Sequence, residues 1–178
     1  SDVYKRQDFR IPMVQHDLPD DPLVAEQWHL ENTGQAGSPG TDINAETAWA
    51  YATGAGQIIA IIDSGVDAEH PDLDMAGGVD VVDSDFDYYP DDGNAHGTAC
   101  AGLAAGVGNN GVGIAGVAYD AQVYGVRYLS DTGSGSYYDA FIWAVDSGAG
   151  VLSNSWGASI ACDGYSIPAS YLTATEYA

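Results

Sequence analysis

Two residues in this chain have side chains that could cooperate around one proton. Asp63 closes an apolar run in IIDSGVD, and His96 opens the small-residue segment HGTACAG. An ionised carboxylate beside an imidazole holds the ring in one tautomer and stabilises the imidazolium formed when the far nitrogen takes a proton. Such a pair is the base half of a nucleophilic mechanism. Each residue also has a plain structural use, the Asp as a cap for the turn before Gly65 and the His as a helix N-cap.

The surrounding pattern says how the two could be positioned. Residues 57–63 (QIIAIID) form a short continuous apolar run between glycines, as expected of a buried parallel strand, and further strands are expected at 79–82, 122–129 and 151–156. Helices are expected at 43–51, 96–107, 137–147 and from 168 to the last residue. This alternation predicts an α/β fold, a mostly parallel sheet with helices on both faces. Active sites of open α/β sheets gather at the carboxyl ends of strands, where Asp63 lies. A carboxylate there also offsets the unfavourable positive end of a helix that starts at His96.

Composition narrows the partners. The 178 residues carry 26 acidic and four basic side chains, a formal charge of −22. Nucleic acid or an anionic membrane would be repelled, so metal cations are the charged ligands to expect, alongside a solvated acidic surface. No apolar run reaches a membrane span's length, and no signal segment opens the chain. Cys100 and Cys162 are too few for a disulfide scaffold. Residues 1–7, SDVYKRQ, contain a dibasic Lys5-Arg6 pair, but one back-translation, TCA GAT GTG TAT AAG AGA CAG, is a sequencing-library transposon adapter. We therefore expect residues 1–7 to be an adapter or cloning scar, and 8–20 a surface lead-in segment.

With these residues in place, the chain resembles the subtilase family of serine proteases over residues 21–178. Asp63 and His96 match that family's Asp, His, Ser order. The segments DPLVAEQWHLENTGQ and GVAYDAQVYGVR resemble the kexin and furin branch. The resemblance implies a subtilisin-like fold and a serine endopeptidase acting on peptide or protein, secreted and monomeric. It implies that Ser155, Trp156 and Gly157 of SNSWG belong to a strand that pairs with substrate backbone. Gly133, Ser134, Gly135 and Tyr137 of GSGSY would form the opposing edge. Strand addition by a peptide, with glycines admitting its backbone, fits that role. Tyr137 and Trp156 would line apolar subsites or pack in the core. The kexin branch has acids just after the catalytic Asp and three before the catalytic His. Here those positions are Ser64 and Gly93, so a broad, more apolar preference is expected, with Asp163 the remaining acidic candidate.

Two calcium sets also follow from the resemblance. The first comprises Asp21, Asp72, the Asn110 side chain and the carbonyls of Val107, Val112 and Ile114; oxygen donors of these kinds suit Ca2+. The second is Asp80, Asp85 and Asp87, for which a solvated acidic loop is the alternative. An EF-hand is excluded, because counting from Asp83 puts Tyr88 at its Gly and Asn94 at its Glu. Cys100, one helical turn beyond His96, is expected to pack in the core.

The family's nucleophile lies in a Gly-Thr-Ser segment, preceded by a strand with its oxyanion-hole Asn; this chain contains neither, and no G-x-S-x-G elbow. We therefore expect residues 21–178 to be the amino-terminal part of a catalytic domain, with Asp and His but not Ser. Two rivals remain: a non-enzymatic homologue used as a binding module, and an acidic calcium-binding surface protein.

Overall fold

Five apolar residues followed by an Asp make a strand that can be covered on both faces, and the chain uses it so. The computed structural model describes residues 18–157 and 169–178. Its strands are Ile58–Asp63 (β1), Met75–Asp80 (β2), Gln122–Arg127 (β3), Leu129–Ser130 (β4), Gly133–Ser134 (β5) and Val151–Ser153 (β6). Its helices are Ala45–Trp49 (α1), His96–Ala105 (α2), Tyr137–Asp146 (α3) and Ala169–Tyr177 (α4). The main sheet has the order β2-β3-β1-β6, with every pairing parallel.

Alternate residues of β1 serve opposite faces. Ala60 and Ile62 pack with Val126 and with Phe141, Ala144 and Ala174 of α3 and α4. Ile59 and Ile61 pack with Val123 and with Ala101 and Ala105 of α2. Burying an isoleucine side chain contributes about 1.5–3 kcal/mol, so a polar residue within β1 would unseat one helix layer. The observed architecture is thus a mostly parallel α/β fold with helices on both faces. No helix among the described residues is long and apolar enough to cross a membrane.

Several element limits differ from expectation, for local reasons. β2 begins at Met75 rather than at 79, because Gly77 and Gly78 are strand residues here. A Cβ on Gly78 would overlap the Gly125 carbonyl and the Tyr88 ring, so a sequence that looks like a loop is a strand pressed against its neighbours. The strand stops at Asp80, whose Oδ1 accepts the N–H groups of Val82 and Asp83 at 2.6 and 3.1 Å and turns the chain. The run expected at 122–129 divides: β3 ends at Arg127, and β4 pairs antiparallel with β5 as a short hairpin. β6 covers only the first half of 151–156. α2 ends at Ala105 because Gly106 turns to extended backbone.

Candidate active site

β1 ends on Asp63 at the edge of the sheet layer, and α2 starts on His96 directly above it. Asp63 is fully buried, and its Oδ1 lies 2.6 Å from His96 Nδ1 and accepts the Ser64 N–H at 2.7 Å. With Nδ1–H donating to the carboxylate, Nε2 is the nitrogen left to accept a proton. The His96 side chain is 55% exposed, so that nitrogen can be reached. Ala95, not His96, stands at the N-cap, so the capping alternative for His96 fails. Asp63 does serve the turn before Gly65, and it holds the imidazole with the same oxygen.

The glycine of HGT is required by this geometry. A Cβ on Gly97 would overlap the Gly65 carbonyl and crowd Asp63 Cβ, so only glycine lets the helix start come down onto the strand end. The Gly97 N–H donates to Ser64 Oγ at 3.1 Å, which fastens the two motifs together.

The expected substrate-edge residues divide into exposed and packed ones. Gly133, Ser134, Ser155 and Gly157 are exposed. Gly135 is half-buried: a Cβ on it would overlap the Val81 carbonyl, and its N–H donates to Tyr128 O at 2.7 Å. Tyr137 stacks on Tyr171 at 3.8 Å and on Phe141 at 4.2 Å, while Trp156 packs against Tyr128 at 4.7 Å and donates Nε1–H to Ile62 O at 2.7 Å. These rings belong to one aromatic cluster and are half-buried. Asp163 and Cys162 lie outside the described residues. Ser136, within GSGSY, caps α3 by accepting the Asp139 N–H at 3.2 Å.

The first oxygen set comes together from distant segments. Asp21, 5% exposed, accepts the N–H groups of Asn109, Asn110 and Gly111 at 2.7–3.0 Å. Asp72, 2% exposed, accepts Asn110 Nδ2 at 2.8 Å and the Ile114 N–H at 3.0 Å. Val107 is tied to the same place through its N–H to Asp72 O, and Asn110 Oδ1 accepts the Val112 N–H at 2.7 Å. Two buried carboxylates and an Asn side chain thus share one loop, and their hydrogen bonds come from neutral donors. That donor chemistry fits Ca2+.

The second set, Asp80, Asp85 and Asp87, differs in having a side-chain cation among its partners. Asp80 turns its Oδ2 to the Arg127 guanidinium, while its Oδ1 is taken by backbone N–H groups. Asp85 Oδ1 accepts the Asp87 N–H at 2.9 Å, and Asp87 is exposed. Arg127, which sequence reasoning did not single out, also binds Asp83 at 2.9 Å and Asp91 at 2.5 Å. Burial pushes its pKa down, and the hydrogen bonds it donates to Asp80, Asp83 and Asp91 more than reverse this, leaving it above the ordinary arginine value. The Asp131 N–H and then Arg127 hold the Asp91 carboxyl below the usual range. A lone Arg closing VYGVR was the only available signal.

Comparison with known proteins now bears on this arrangement. Thermitase of Thermoactinomyces vulgaris is 46% identical over 127 residues, covering 68% of this chain and 45% of that protein. A calcium-dependent protease of Nostoc sp. is 42% identical over 139 residues, covering 75% of this chain and 20% of that protein. Among solved structures, the serine protease of Aeromonas sobria superposes with a TM-score of 0.78 at 26% identity, over 97% of this chain and 32% of that one. A protease of Pseudoalteromonas arctica gives 0.72 at 32% identity, over 90% of this chain and 55% of that one. The chain spans less than half the length of the two curated relatives. Residues 54–176 match the sequence profile of the Subtilase family, and with Asp63 beside His96 on the matched fold, the chain belongs to that family.

Proposed function

We propose that residues 21–178 supply the Asp and His of a secreted serine endopeptidase that hydrolyses peptide bonds by acyl transfer. The observation that carries this is the 2.6 Å contact between buried Asp63 and His96 at a strand end. His96 Nε2 is the base that takes the nucleophile's proton and returns it to the leaving amine. Asp63 holds the tautomer and stabilises the imidazolium at the helix start; loss of such a carboxylate costs a triad about 10⁴ in turnover. The exposed Gly133, Ser134, Ser155 and Gly157 are the positions at which an extended peptide would add as a strand. Ser64 and Gly93 leave no carboxylate pair for a basic side chain, so apolar residues should be accepted at least as well as dibasic ones.

Calcium belongs to this reading as a structural ion. Asp21, Asp72, Asn110 and the carbonyls of Val107, Val112 and Ile114 would hold it, and it would neutralise two buried carboxylates that join remote segments. The name of the Nostoc relative, a calcium-dependent protease, is in keeping with this. A calcium requirement suits an extracellular setting, where calcium-binding modules work with dissociation constants near 10⁻⁴–10⁻³ M. We place the protein outside the cell, as a monomer.

The test is a serine-directed fluorophosphonate applied to this chain and to a longer product of the same reading frame. A single labelled serine outside residues 1–178, lost on His96→Ala, is expected in the longer product. Specific, heat-sensitive labelling of Ser155 or Ser64 would overturn the assignment.

A further inference from the structure

Asn110 and Gly111 are the only Asn-Gly pair in the 178 residues. An asparagine side chain can be attacked by the backbone nitrogen of the residue that follows it, and glycine there, with no Cβ to crowd the five-membered ring, is the least hindered partner. Both residues are exposed, and nothing lies within 4 Å of where a Cβ on Gly111 would stand. We propose that Asn110 is a self-modification site, an asparagine that deamidates through Gly111 when its loop is released and is protected while calcium holds Asp21 and Asp72 together. The gate rests on the structural-calcium reading.

Three hydrogen bonds occupy the reacting groups. The Gly111 N–H donates to Asp21 Oδ1 at 3.0 Å, Asn110 Nδ2 donates to Asp72 Oδ1 at 2.8 Å, and Asn110 Oδ1 accepts the Val112 N–H at 2.7 Å. Ring closure requires the Gly111 nitrogen to give up its proton and turn onto Asn110 Cγ. A negative charge forming on that nitrogen is disfavoured beside the Asp21 carboxylate. The side-chain amide is pinned at its oxygen and its nitrogen, so it cannot rotate to meet the attack. Asp21 and Asp72 lie 90 and 38 residues from the groups they hold, so the protection lasts only while remote segments stay docked. Without a cation, repulsion between the two carboxylates favours local opening.

The step balances with water alone. As the Gly111 nitrogen bonds to Asn110 Cγ, the Cγ–Nδ2 bond breaks, and the proton lost from Gly111 leaves with the side-chain nitrogen as ammonia. Water then opens the imide ring at either carbonyl, giving aspartate or isoaspartate at position 110. Each product replaces the donor to Asp72 with a carboxylate, so a loop that opened for want of calcium closes less well without it afterwards. The change is irreversible and records calcium loss in the covalent structure.

The test incubates the 178-residue chain at neutral pH with calcium, with chelator and in urea, and reads position 110 by peptide mass spectrometry and isoaspartyl methylation. A reaction that passes through an open loop follows the open population, and a hundredfold excess of calcium over its dissociation constant lowers that population about a hundredfold. The modification should therefore be about a hundredfold slower with calcium than with chelator, and no faster with chelator than in urea. Asn154, exposed and followed by Ser155, is the internal control, and its slower change should not respond to calcium. Asn110→Gln should remove the signal, and Asp21→Ala, checked for folding by circular dichroism, should speed it in calcium. The unaltered chain decides the matter if that variant unfolds. Equal rates with calcium and chelator, or a response to calcium at Asn154 as large as at Asn110, would overturn the gate. Thermal melts separate the two readings: unequal midpoints with equal rates sink the gate alone, whereas equal midpoints sink the calcium reading and the gate with it.

Discussion

Two acidic regions of this molecule bury carboxylates in opposite ways. Around Asp21 and Asp72 the partners are backbone N–H groups and an Asn amide, so no side-chain cation among the described residues compensates the negative charges. Around Asp80, Asp83 and Asp91 a single buried Arg127 meets all three. A buried charge without a counter-charge is costly, whereas a paired one is costly mainly when the pair is broken. What separates them is where the buried Arg127 guanidinium goes.

Breaking the second region should give the largest effect. Arg127→Met leaves Asp80, 1% exposed, without its cation, and removing one member of a buried pair costs about 3–5 kcal/mol. Urea unfolding should show that loss, and saturating calcium should not restore it. Recovery by calcium would mean that the second region is a metal site after all, and the contrast would collapse.

Calcium removal probes the first region. Binding to the native state alone stabilises by about 2.7 kcal/mol at a hundredfold excess over the dissociation constant. Melts with calcium and with chelator should differ accordingly, and Asp72→Asn should abolish the difference. Equal midpoints for the unaltered chain would end the structural-calcium reading.

A pH experiment sharpens the comparison further. The folded Asp91 carboxyl lies below its ordinary value of 3.8, through the Asp131 N–H and Arg127. A depressed carboxylate contributes stability that is present above the unfolded pKa and lost as pH falls through the folded one. Between neutrality and about pH 4 the Asp91 contribution should therefore be constant, and it should vanish in more acidic solution. NMR titration of the Asp91 carboxyl carbon measures this directly, and Asp91→Asn should flatten that part of the stability profile. A midpoint at or above 3.8 would contradict the geometry.

The smallest effect is expected at Asp83, whose side chain is 66% exposed although it touches the same guanidinium as Asp80. Exposed ion pairs contribute about 0–1 kcal/mol, so Asp83→Asn should barely move the urea midpoint. A loss as large as that of Arg127→Met would show that exposure does not rank these partners.

The contrast also marks what could be read from residues in order. The strand IIAIID and the helix opening HGT are local patterns, so Asp63 and His96 were legible together with the parallel α/β class. The role of Arg127 was not legible, because its carboxylates lie 36, 44 and 47 residues away and one Arg after apolar residues looks like any strand end. Tyr137 and Trp156 show the same limit. Their types suit either a subsite or a core, and only the tertiary structure shows that they stack with Tyr171, Phe141 and Tyr128. That Gly135 makes room for the Val81 carbonyl was likewise not readable from its neighbours in sequence.

Amino-acid order alone determined the sheet's apolar strand, the helix that begins at His96, the acidic character and the candidate pair, since each depends on neighbours within a few residues. Tertiary structure decided which acids face a guanidinium, which glycines admit a neighbouring backbone and which oxygen of Asp63 holds His96. Those outcomes depend on close approach between segments remote in sequence. There, burial raises the cost of an unpaired charge, and a single Cβ decides whether two backbones can meet.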